Sequence, residues 1–338
     1  MIDKVLYFPY IRVPGNEWFT RALLYWDEVG SIVPSEYIQR PESLGMYMRE
    51  LVQAELVRQV IPGEYTYRIP RFRESFLELI DQNQMITDRR GIALERYETF
   101  RIHIEKTGDA LANALCDRGL ARPAKYPWYE VEKVTANLFM AYLASVLGKS
   151  SDLQMEPITD HTESLSVFSN SPQSILAPTS LIDQLRITVL EGVLPAPSVG
   201  IPVRELADFK DSYSGLLKQF RRHIESSLVE IALITDKNLR DRKLCLLQDE
   251  LREKINEIQA RMNEKRWPRI VFGTFCGLLA AAIPGAEAIA TGNIISALKA
   301  LPGLITAIYS AFSGATNQDE ILRSPLAYVA LAQERLTR

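Results

Sequence analysis

From Ile270 to Gln318 the chain carries only two charged side chains, Glu287 and Lys299. No other stretch departs so far from ordinary globular composition. It restricts the folds open to the chain, because that much apolar surface must be covered by other helices, a partner or a bilayer. Crossing a bilayer takes about twenty consecutive apolar residues in one helix. Pro284-Gly285 and Pro302-Gly303 interrupt the tract before that length is reached. Its pieces, Ile270 to Ile283, Ile289 to Leu298 and Leu304 to Phe312, therefore read as short helices that pack closely. Gly273 and Gly277 supply a small-xxx-small pair for close approach. The basic and aromatic residues just before the tract, Lys265, Arg266, Trp267 and Arg269, suit a bilayer interface and equally a solvated helix end. The residues placed to touch a partner or a membrane are Trp267, Phe272, Phe275, Leu278, Ile305, Tyr309 and Phe312.

The preceding segment explains how a cover could arise within the chain. Phe209, Tyr213, Leu216, Phe220, Ile224, Leu228 and Ile231 recur every three or four residues. After Thr235-Asp236, Leu244, Leu247, Leu251, Ile255, Ile258 and Met262 do the same. This spacing predicts a coiled-coil-like helical hairpin over 203–266, ended by Trp267-Pro268. The tail from Ile321 predicts a last amphipathic helix. Residues 201–338 thus form an all-α domain that includes the apolar tract, 270–318.

The N-terminal part follows a different rule. Lys4 to Val13 is rich in aromatic and β-branched residues and ends in Pro14-Gly15, which predicts a strand. Asn16 caps a helix that runs to Gly30, and SIVP follows as a second strand. Ser43 starts another helix, which Pro62-Gly63 ends. This β-α-β-α order predicts an α/β domain over 1–200 with a mainly parallel sheet of four to six strands. Further expected elements are a helix over Arg71–Gln84, a strand at Phe100–Ile104, helices at Thr107–Arg118 and Trp128–Leu147, and strands at Leu153–Ile158 and Leu185–Leu194. The Ser, Asn and Pro-rich stretch Ser164–Thr179 reads as a loop.

Candidate chemistry is sparse. His103, His161 and His223 show no metal-ligand spacing, and Cys116, Cys245 and Cys276 form no CxxC pair. No P-loop, GxGxxG, GxSxG or HExxH motif occurs. His103 and Glu105, two apart in a strand, would share one face. Asp27 closes the first helix, and Asp160 follows a strand. Were Asp27, Glu105 and Asp160 to meet at one sheet edge, they would hold Mg²⁺ or Mn²⁺ for phosphodiester hydrolysis. Otherwise no cofactor is expected. The net charge of −3 does not favour nucleic acid.

The segments YFPYIRVPGNEWFTRALLYWDEVGSIVP and SPLAYVALAQERL carry a resemblance. The chain resembles a bacterial family defined only as a domain of unknown function, whose members open and close in this way. The resemblance implies a cytoplasmic bacterial protein, with defence against mobile elements as its biology, and the apolar tract adds a position peripheral to the inner membrane as an expectation. It brings no catalytic residues. The leading functional expectation is a non-catalytic interaction or effector protein, whose apolar tract meets a protein partner, a second copy or a membrane. The alternatives are the metal-dependent hydrolase or nuclease, and a scaffold that dimerises through the hairpin.

Overall fold

The computed structural model of the chain describes residues 3–161, 181–195, 201–262 and 324–336. The predicted loop Ser164–Thr179, the apolar tract and the seven contact candidates from Trp267 to Phe312 lie outside the described residues. The protein divides into two compact units, one of residues 1–180 with 198–207, the other of 181–197 with 208–338.

The first unit is α/β. Its strands are β1 (Lys4–Tyr7), β2 (Glu28–Ile32), β3 (Val57–Val60), β4 (Thr99–His103), β5 (Ala121–Pro123), β6 (Trp128–Glu132) and β7 (Glu156–Ile158). Four of them form a parallel sheet in the order β3-β2-β1-β7, with Lys4 opposite Glu28, Val29 opposite Val57 and Val5 opposite Glu156. The other three form an antiparallel sheet, β4-β6-β5. The expected strand at Phe100–Ile104 therefore exists, but it belongs to the second sheet.

The principal helices of this unit are α1 (Glu17–Tyr25), α2 (Met46–Gln53), α3 (Phe72–Gln82), α4 (Asp109–Asp117) and α5 (Lys133–Gly148). Asn16 caps α1 as expected, its Oδ1 accepting from the Phe19 amide at 2.9 Å. Helix α1 stops at Tyr25, five residues before Gly30, because Glu28–Ile32 pairs with a strand on each side. Two ladders of backbone hydrogen bonds outweigh the helical spacing of EWFTRALLYWDEV. Gly30 is a packing position inside β2, where a Cβ would come 2.8 Å from Met155 Sδ and 3.0 Å from Leu6 Cδ1. In the same way VRQV leaves the predicted second helix to become β3, and Trp128–Glu132 leaves the helix predicted over Trp128–Leu147 to become β6.

Leu6, Ile32 and Val60 face one core with Phe72, Phe76, Phe139 and Tyr142 from α3 and α5. Helix α5 is buried over almost all of its length, so its sides are apolar nearly all round rather than amphipathic. Its start is fixed by Glu132, which accepts from the Val134 and Thr135 amides at 3.0 and 2.8 Å and pairs with Arg89. Its end needs a glycine. A Cβ on Gly148 would lie 2.1 Å from the carbonyl oxygen of Met155, whose amide donates back to Gly148.

The second unit is helical: α6 (Leu181–Val193), α8 (Ser214–Ala232), α9 (Lys237–Met262) and α10 (Ala327–Leu336), with α7 (Val203–Ser212) shared between the units. The expected strand Leu185–Leu194 is helix α6. Its β-branched residues suggest a strand, but Leu185, Val189, Leu190 and Val193 bury at helical spacing. Helices α8 and α9 form the expected hairpin, and the tail helix is present as α10. The hairpin seam, from Leu217 through Phe220, Ile224, Leu247 and Leu251 to Ile258, is buried. Because α6 and α10 pack on both hairpin helices, the seam is the core of a bundle rather than of a two-stranded coiled coil. Buried Gln333 ties the pieces, donating to Val193 O at 2.9 Å and accepting from Gln259 Nε2 at 2.5 Å. Among the described residues no helix is long and apolar enough to cross a membrane.

Candidate functional site at the carboxyl edge of the parallel sheet

In an open parallel sheet the strands' carboxyl ends carry connections whose backbone and side chains are free of ladder duty, so ligands bind there. Three constellations lie at this edge. The first is where the strand order reverses. The chain runs outward from β1 to β3 and returns to place β7 on the other side of β1. Asp160 follows β7 at this point. Its Oδ1 accepts from Tyr7 Oη and its Oδ2 from Asn16 Nδ2, both at 3.0 Å. His161 Nε2 lies 3.5 Å from Asp160 Oδ1, and the His161 ring meets Tyr10 edge-on at 4.9 Å. Burial and the adjacent Asp160 carboxylate push the Tyr7 phenol well above its ordinary range, so Tyr7 acts as a fixed hydrogen-bond donor.

The second constellation joins the ends of β2 and β3 to the end of β4. Glu105 accepts from the Ser35 amide at 2.8 Å and from Ser35 Oγ at 2.9 Å. It also fits closely over Gly63, where a Cβ would come 3.2 Å from its Cγ. His103 and Glu105 do meet, but not by sharing a strand face. The strand ends at His103, whose Nδ1 accepts from the Glu105 backbone amide at 3.1 Å and caps a short helical turn, Ile104–Thr107. The ring stands edge-on to Trp128, and its Nε2 lies 3.4 Å from a Glu36 oxygen without a hydrogen bond aligned to it. Burial pulls the His103 pKa down against the opposing pull of Glu36 and Glu105, so the imidazole is neutral with its proton on Nε2. Beside them Lys106 is buried, with its Nζ 3.9 Å from Met140 Sδ. Desolvation lowers its pKa to about 7. This constellation fastens the parallel sheet to the antiparallel one.

The third feature is a cavity of about 570 Å³. Arg12, Val13 and Gly15 line it from the connection after β1, with Thr20 from α1. Residues Leu44 to Met48 and Glu50 line it from the start of α2. Ile201, Pro202, Val203 and Leu206, which belong to the same unit, complete the wall. Its volume lies in the range of small-molecule sites. The start of α2 has no side-chain cap, with Gly45 at φ 82° in the capping position.

No known protein family, characterised protein or solved structure matches the chain. Its chemistry must therefore be read from its own residues.

Of the four residues singled out in the sequence, three come to the carboxyl edge and one does not. Asp160 is at the reversal point, and His103 and Glu105 are at the junction with the second sheet. Asp27 precedes β2, at the opposite end of the sheet, where its amide donates to Asp3 O at 2.8 Å. A parallel strand advances about 3.3 Å per residue, so the length of β2 separates Asp27 from that edge and the three carboxylates do not converge. The described residues contain no group of three or more His, Cys, Asp or Glu side chains placed to hold a metal. Neighbouring Glu28 is an ion-pair residue, 2.9 Å from Lys4 and 3.2 Å from Arg58. Sequence reasoning missed Arg12, Glu50 and Lys106. Arg12 lay inside the strand expected over Lys4–Val13, but β1 ends at Tyr7, which leaves Arg12 in the connection at the carboxyl edge.

Proposed function

We propose that the α/β unit binds a small molecule at its carboxyl edge, and that the chain is an interaction or effector protein in which this unit senses and the helical unit engages a partner. The observation that carries the reading is the cavity between the connections after β1 and β2, at the edge where parallel sheets bind ligands. The scaffold alternative loses support, because Leu251 and its neighbours on the hairpin seam are buried in the chain's own bundle. The metal-dependent hydrolase loses its proposed ligand set with the placement of Asp27.

Titration with the dye 8-anilinonaphthalene-1-sulfonate tests the reading. Thr20→Trp places an indole in the cavity, and a far-UV spectrum and melting temperature matching the parent chain show that the fold is kept. The expected result is one fewer dye site per chain in Thr20→Trp. An unchanged dye stoichiometry in a folded variant overturns the reading.

A further inference from the structure

The walls of the cavity carry one cation and one anion that are not paired with each other. Arg12 donates through Nη2 to the Ser43 carbonyl at 2.6 Å, which orients the guanidinium and leaves other N–H groups to donate. Among the described residues neither Arg12 nor Glu50 makes an ion pair. Both side chains are solvent-accessible, whereas Val13, Leu44, Met48 and Leu206 on the same cavity are buried. Charges therefore stand at the mouth and apolar groups line the depth.

Arg12 and Glu50 are both exposed in the free chain, and a bound ligand body that covers the mouth takes them out of water, so a ligand with a single charge would pair with one and leave the other without a partner. A ligand with both charges on one small head satisfies both. We infer that the cavity takes a small zwitterion with an apolar body, of the class of an apolar α-amino acid. Its carboxylate would lie toward Arg12, its ammonium toward Glu50, and its side chain against Val13, Leu44 and Met48. The uncapped start of α2 adds a positive pole on the same wall and favours the carboxylate there. This inference rests on the cavity being a ligand site, as proposed above.

The experiment is a competition in which L-phenylalanine, N-acetyl-L-phenylalanine and L-phenylalaninamide each displace the dye from the intact chain. The acetylated probe lacks the ammonium and the amide probe lacks the carboxylate. Phenylalanine is expected to compete at least about tenfold better than either, the cost of losing one charge-assisted contact. In Arg12→Gln the advantage over the amide should vanish while that over the acetylated probe remains, and in Glu50→Gln the reverse. Equal competition by all three, failure of all three to compete, or ratios unchanged in both variants overturns the zwitterion assignment. Dye binding that Thr20→Trp still reduces would in those cases leave the binding site itself standing, whereas dye binding indifferent to Thr20→Trp removes both.

Discussion

Arg186 in the helical unit and Lys106 in the α/β unit are both buried cations, and they meet the cost of burial in opposite ways. Arg186 is matched by carboxylates. It makes a two-pronged pair with Glu225, through Nε at 2.6 Å and Nη2 at 2.9 Å, and a further bond to Asp183. Lys106 has a thioether at 3.9 Å. The difference follows from chemistry. A guanidinium does not lose its proton in a protein, so it is buried only with partners. An amine can be buried by giving the proton up, and desolvation takes Lys106 to a pKa of about 7. One site is therefore an electrostatic lock insensitive to moderate pH, and the other is a pH-dependent weakness in the α/β unit.

The largest expected effect breaks the lock. Glu225→Ala strips the two-pronged partner from buried Arg186. Loss of a partner in a buried pair costs about 3–5 kcal/mol, which should show as a clear fall in the urea midpoint of the helical unit. Adding Arg186→Met should recover much of the loss, because the stranded charge is removed with its partner. A midpoint moved by less than the error of the measurement would show that the pair contributes nothing net.

Next comes the lysine. An unfolded lysine titrates near 10.4, so between about 7 and 10 the unfolded chain holds a proton that folded Lys106 has released. Stability contributed at this site therefore rises with pH across that window. Below it, both states are protonated and the full cost of the buried ammonium is present. Lys106→Met removes that cost and should stabilise the protein at pH 7 by about 1–3 kcal/mol, the cost of leaving a buried polar group without a good partner. The gain over the parent chain should shrink as pH approaches 10. Denaturant melts of both chains at pH 6, 7, 8.5 and 10 check this, and a gain that does not change with pH would mean that Lys106 is already solvated. Comparing the two chains at each pH cancels other groups that titrate there, such as Cys116, whose thiol burial pushes up.

Neither buried cation was legible in the sequence, and the reason is physical. Arg186 lies in LIDQLRITVLEGV, where β-branched residues suggest a strand, so its contact with Glu225 at a separation of 39 residues had no frame to sit in. Lys106 follows FRIHIE, which alternates like a strand to its end, whereas the chain turns helical at Ile104 because His103 caps the turn. What could be read was periodicity uncontested by pairing: the hairpin α8–α9, the tail α10 and the Asn16-capped start of α1, while of the strand expected over Lys4–Val13 only Lys4–Tyr7 forms. Where an apolar segment could satisfy its backbone either internally or across a ladder, as in EVGSI, VRQV and WYEVE, helical spacing misled, because ladder partners far along the chain decide the outcome. The carboxyl-edge cavity was hidden for the same reason, since it needs three connections distant in sequence.

The smallest expected effect belongs to a third kind of charge, in contact with solvent. Burial pushes the Glu28 carboxyl up, but Lys4 and Arg58 outweigh it and hold the group below its ordinary value. A carboxylate so lowered adds stability above the ordinary carboxylate range and loses it as pH falls through the depressed value. Lys4 and Arg58 side chains are each 43% exposed, so water and salt screen the pairs. Glu28→Gln should cost about 0–1 kcal/mol at pH 7, and the difference from the parent chain should close in melts at acid pH and shrink in 1 M salt. A loss as large as that of Glu225→Ala would mean that partial exposure does not decide what an ion pair is worth here. A small, salt-sensitive loss would place the three charges in one order, set by how completely each is removed from water and whether it can shed its charge.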